Sequence, residues 1–205
     1  MLYYLATGAL LGLGAGLAPG PLLTLVISES LRRGAAAGIR VALAPLVSDL
    51  PIIVLVLFGL GRVAHNPMLP GALALIGGTL VMWMGLGELR RTGATVGAGR
   101  EEAHPLRRGI LVNLFSPYPY LFWLGVGGPM IFKGWGLSPA APLAFLGSFY
   151  LLLVGSKVLL ACGVGRMTFL GGRGYRTTLR FLGLLLCLFG LSLVYEGLSL
   201  CGFIF

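Results

Sequence analysis

Six long apolar runs, at 2–28, 41–60, 68–87, 109–131, 140–164 and 181–203, constrain this chain more than any other feature of it. Each is long enough for a helix to cross a hydrocarbon core about 30 Å thick, which takes about 20 apolar residues. Lipid offers no water to backbone N–H and C=O groups, so only helices and closed barrels span it. Barrel strands read as alternating segments of about 10 residues, not as solid runs. The expected fold is therefore all-α, a polytopic membrane bundle of six transmembrane helices. Composition removes the competing classes. At 57% hydrophobic and 10% charged, the 205 residues lack the polar side chains to cover a water-soluble globule. Disorder needs low hydrophobicity and high charge, and the 34 glycines keep no collagen period. The first run opens Met1-Leu2-Tyr3-Tyr4 without a basic leader and is too long for a signal peptide, so it reads as a retained span.

The net charge of +9 sits in short flanks to these runs and not in one stripe, which argues against nucleic acid as a partner and for the bilayer. Arg32, Arg33 and Arg40 occupy the first connection. Arg90, Arg91, Arg100, Arg107 and Arg108 occupy the third, and Arg166, Arg173, Arg176 and Arg180 the fifth. The other side holds only Arg62 and Lys133. Basic flanks stay cytoplasmic, which places both termini outside. The chain then divides into 1–90, a basic cytoplasmic connection at 91–108, and 109–205. Cys162, Cys187 and Cys201 have packing rather than redox spacing, and His65 and His104 fall on opposite sides, so no metal or cofactor is expected. No phosphate-cradling G-x-x-x-x-G-K-[ST] element is present. The chain does not read as an enzyme.

An internal repeat relates the two halves. Pro19-Gly20-Pro21 returns as Pro117-Tyr118-Pro119, the buried ionisable group Asp49 has a counterpart in Lys157, and Gly71, Gly78 and Gly85 return as Gly183, Gly190 and Gly197. Three spans per copy is odd, so the second copy enters the bilayer from the opposite face. Two inverted three-helix repeats with interrupted helices are the construction of secondary transporters, with the site where the halves meet.

Two prolines within one turn remove N–H donors and clash with carbonyls four residues back, so each pair should break its helix. Gly20 eases unwinding in the first. A helix restarting near Leu22, and another beyond Pro119, would present free N–H groups and a positive dipole end suited to a carboxylate. Asp49 lies about 12 Å and Lys157 about 10 Å inside the cytoplasmic boundary at about 1.5 Å per residue. Each charge needs a partner or a wet cavity there, either as a static ion pair or across a substrate. Asn113, Ser116, Tyr118 and Tyr120 add polar groups around the second break. Glu29, Glu88 and Glu196 lie at helix ends and read as solvated or snorkelling. Tyr3, Tyr4, Trp135 and Tyr195 read as interfacial anchors. Gly8, Gly12 and Gly16 form a small-residue packing stripe, within the bundle or between protomers.

These residues carry a resemblance. The segment from Gly12 to Pro21, with Arg32-Arg33-Gly34, Gly38, Ser48 and Asp49, resembles the LysE/RhtB amino-acid exporters. Asn113 through Pro129, with Pro117, Tyr118, Pro119 and the Gly127-Gly128-Pro129 end, is similar to their second-half signature. The sequence departs from the family where Ser116-Pro117-Tyr118 replaces Asn-Pro-Lys and where Ala44-Pro45 replaces a common glycine. The resemblance implies a bacterial or archaeal inner-membrane exporter of amino acids or similar small solutes, working as a dimer.

The reading is thus a secondary active exporter of small zwitterions, driven by a proton gradient or the membrane potential. Its expected substrate site comprises Pro19, Gly20, Pro21, Asp49, Asn113, Ser116, Pro117, Tyr118, Pro119 and Lys157, with Asp49 also carrying the proton. A non-transporting membrane subunit and a thiol or electron carrier are the alternatives.

Overall fold

The computed structural model describes residues 1–58, 68–90, 104–166 and 173–202, and all regular structure among them is helical. His65, Arg62, Arg91 and Arg100, the ends of the second and sixth runs, most of the 91–108 connection and the side chain of Glu88 lie outside the described residues. The first run forms α1 (Leu2–Leu17) and α2 (Pro21–Arg33), the second α3 (Ala35–Ala42) and α4 (Ala44–Phe58), and the third α5 (Met68–Arg90). The fourth forms α6 (Pro105–Leu114), α7 (Pro117–Phe122), a π turn at Trp123–Gly127 and α8 (Gly128–Trp135). The last two form α9 (Ala140–Arg166) and α10 (Arg173–Leu200).

Three segments, Ala35–Val56, Ala140–Arg166 and Arg180–Leu200, are long and apolar enough to cross a membrane. Two bent pairs, α1 with α2 at 62° and α6 with the stretch Pro117–Trp135 at 56°, raise that to five. The chain is a multi-pass helical membrane protein. In the third run, Ala74–Gly87 of α5 is apolar and helical.

Glycine sets the helix contacts. Gly8, Gly12 and Gly16 press α1 onto the backbone of α9, and a methyl on Gly16 would stand 3.0 Å from the Leu153 carbonyl oxygen. The stripe thus packs within the bundle. The seven-spaced glycines of α5 and α10 meet each other antiparallel, Gly71 on Gly197, Gly78 on Gly190 and Gly85 on Gly183. At the middle pair the approach is reciprocal: a Cβ on either glycine would lie 2.7 Å from the other's carbonyl oxygen. Bare backbones this close gain van der Waals and Cα–H···O contact in a solvent that gives no hydrophobic drive between helices. Cys187 and Cys201 are free thiols whose sulfurs pack at Gly85 and Gly71. Gly34, at φ 84°, makes the α2–α3 turn that other residues resist.

The core divides in two. One cluster gathers Tyr4, Ile52, Trp123, Phe145, Phe149 and Leu153; the other gathers Leu25, Val26, Val41, Val81, Val112 and Leu186. Tyr4 is therefore not an interfacial anchor: it is buried, with its ring 3.1 Å from where a Gly134 Cβ would stand. Tyr3, Trp135 and Tyr195 are exposed on the bundle surface.

Candidate functional site

The site is built from the two breaks. Pro19 and Pro21 have no N–H, so the carbonyls of Ala15 and Leu17 lose the donors a continuous helix would supply. Ala18 N–H bonds Gly14 O at 2.9 Å, Gly20 is extended (φ −176°, ψ 176°), and Pro21 starts α2. Thr24 closes the new turn by donating its N–H (3.0 Å) and its hydroxyl (2.9 Å) to Gly20 O. The amides of Leu22 and Leu23 have no intrahelical acceptor, lie at the positive end of α2, and belong to residues lining a cavity of about 470 Å³.

The second break repeats this loss of donors, with Pro117 and Pro119 depriving the carbonyls of Asn113 and Phe115, but its helix restarts at the first proline of the pair and not at the second. The Tyr120 hydroxyl donates to Leu114 O at 2.9 Å, and the extended Ser116 leads into α7. Prolines hold the first and third positions of α7, so Tyr118 alone keeps an N–H among them. The expectation of two equivalent anion seats narrows accordingly. α2 offers two free amides and α7 one.

Both ionisable groups face the same cavity. Asp49, on α4, accepts from Asn113 Nδ2 at 2.6 Å and from the Tyr150 hydroxyl at 3.1 Å. Asn113 also donates to Ser48 Oγ at 2.8 Å, and Ser48 donates to Ala44 O at 2.9 Å, so this buried polar network is bonded throughout. Lys157, on α9, donates to Ala15 O at 3.1 Å and Gly16 O at 3.0 Å. Acid and ammonium are therefore not a direct ion pair; each bonds a different break. Lys157 reaches the end of α1, and Asp49 reaches Asn113 near the end of α6, so each ionisable group contacts the broken helix of the opposite half.

Of the ten residues expected at the site, nine line the cavity, and only Pro117 is buried behind the wall. Sequence reading missed Tyr150, although its position two helical turns before Lys157 puts it on the same face of α9. It also missed the aromatic wall of Phe122, Trp123, Phe149 and Phe189. Trp123 opens the π turn, an irregularity frequent at functional sites, and its ring packs on Gly127.

Glu29 requires a correction. It neither snorkels nor meets solvent, being 0% exposed. Arg108 of α6 donates to its Oε1, and Arg33 Nε stands 3.4 Å from Oε2. A carboxylate at the end of α2 would be solvated in isolation, but α6 packs over it and brings an arginine. The pair ties the first half to the second on the side where the second cluster packs. Among the described residues no group of three His, Cys, Asp or Glu could hold a metal.

Comparison with known proteins gives one match. A family model described as LysE type translocator covers residues 14–197. No curated protein and no solved structure matches the chain.

Proposed function

Because the chain belongs to the LysE type translocator family, we propose that it is a secondary active exporter of amino acids or similar small zwitterions across a bacterial or archaeal inner membrane. The observation that carries this reading is the cavity at which both broken helices, Asp49 and Lys157 converge between two packed clusters. Its volume falls within the range of about 300–1,000 Å³ usual for small-molecule sites.

In this reading the six apolar runs are six spans with both termini outside, arranged as two inverted repeats. Two features support the inversion. The α5–α10 glycine contact is reciprocal about Gly78 and Gly190. The α1–α9 contact, in which Gly12 lies on the Phe149 carbonyl, has a counterpart between α6 and α3, where a Cβ on Gly109 would stand 3.1 Å from Val41 O. Pro45 frees that Val41 carbonyl, as it removes the N–H four residues on.

The Leu22 and Leu23 amides receive the substrate carboxylate, assisted by the third donor of Lys157. Asp49 receives the ammonium on one leg of the cycle and a proton on the other. The aromatic wall takes the apolar side chain. Proton entry against export of a neutral zwitterion moves one charge, worth about 2.3 kcal/mol per 100 mV. One repeat rocks against the other, opening the cluster beside Glu29–Arg108 toward the cytoplasm and the cluster around Phe145 and Phe149 outward. A homodimer is the proposed assembly.

The test is a dipeptide-loading screen. Cells expressing the protein and loaded with a panel of dipeptides should excrete one amino acid faster than control cells. Asp49→Asn should remove the difference while the protein remains in the membrane. Undiminished excretion by Asp49→Asn would remove the acid from the mechanism. No solute movement under any gradient, with purified protein in liposomes, would instead indicate a non-transporting subunit.

A further inference from the structure

The end of α1 leaves two carbonyls without helical donors. Pro19 deprives Ala15 O of its helical donor, and the extended Gly20 turns its own N–H away from the ladder that would serve Gly16 O. Two neighbouring carbonyls are left at the negative end of a sixteen-residue helix, beside the cavity that Ala15 lines. Lys157 fills this fork from α9, with hydrogen bonds of 3.1 and 3.0 Å and with the residue 2% exposed. The second break has no such occupant, because a neutral hydroxyl, Tyr120, takes Leu114 O. Half-helix C-termini and unwound carbonyls are where membrane transporters bind small cations.

We propose that the Ala15–Gly16 carbonyl fork is a binding site for a small primary ammonium ion, and that Lys157 is its covalently tethered occupant. The chain thereby carries its own cation at the break, one that cannot dissociate from the α1–α9 junction. The functional meaning rests on the transport reading, but the binding claim does not. It is tested by stability alone, so its failure and that of the export reading are separable.

The experiment is thermal unfolding of the purified full chain in detergent. Lys157→Ala removes the occupant and opens space for it, and should lower the midpoint by about 5 °C, as loss of one buried and one part-buried hydrogen bond implies. Ethylammonium chloride should restore at least half of that loss. Tetramethylammonium chloride, which has the charge but no N–H donor, should restore none at equal ionic strength, and the wild type should respond alike to both salts. The proposal is overturned if the variant is as stable as the wild type, if ethylammonium fails to rescue it, or if both salts rescue it equally. Should Lys157→Ala yield no folded protein, Lys157→Arg and Lys157→Met decide. Arg keeps N–H donors and should fold, whereas Met, similar in length but without donors, should unfold at lower temperature; identical behaviour of the two overturns the proposal.

Discussion

The two helix breaks share a Pro-x-Pro element and differ in what surrounds it. In the first, prolines at 19 and 21 leave α2 with one proline in its opening turn, two free amides and a lysine on the orphan carbonyls behind. In the second, prolines at 117 and 119 both fall inside α7, so one amide remains and a tyrosine hydroxyl serves the carbonyl. Shifting where a helix restarts by two residues relative to the same motif gives one break two free amides with a lysine on its carbonyls, and the other one free amide with a hydroxyl on its carbonyl beside the Asp49–Asn113 bond.

The largest expected contrast follows from the carbonyls. Lys157→Met leaves two carbonyls unpaired, Gly16 O buried and Ala15 O part-buried, and should cost about 2–3 kcal/mol, whereas Tyr120→Phe leaves one, half-buried, and should cost about 1 kcal/mol. Denaturation of the two variants side by side checks the ratio; equal losses would erase the distinction between the breaks. Next in size is Leu23→Pro, which gives α2 the proline pattern of α7. Removing one amide from a carboxylate should raise the KM for export about tenfold, near 1.4 kcal/mol, without preventing folding. An unchanged KM would move the carboxylate away from α2. The smallest effect concerns glycine. Gly20 is extended and nothing lies within 4 Å of its Cβ position, so Gly20→Ala should be near neutral. Gly34→Ala, at φ 84°, should cost about 1 kcal/mol.

The skeleton of this molecule was legible because lipid imposes it. Each apolar run carries helix, and both proline pairs bend their helices, since loss of an N–H four residues on is a local effect. Asp49 and Lys157 were legible as groups that had to converge, because a charge at that depth needs company. What each bonds was not legible. The partner of Lys157 is backbone, which no residue type announces, and the partners of Asp49 come from α6 and α9, elements distant in sequence. Glu29 misled for a related reason: a carboxylate beside Arg32 and Arg33 looks solvated until packing covers it with Arg108. Tyr4 sits beside Tyr3 near the start of α1, yet helical rotation turns one ring inward and the other out.

On the transport proposal, the solute passes through the cavity between the breaks. Leu153, on its wall, reports on this most directly: Leu153→Cys in a chain with Cys162, Cys187 and Cys201 replaced by alanine, challenged with a membrane-impermeant maleimide from each side of oriented vesicles. Labelling is expected from both sides, slowed by the exported amino acid and by no other. Labelling from neither side, or at a rate that amino acid leaves unchanged, would contradict it.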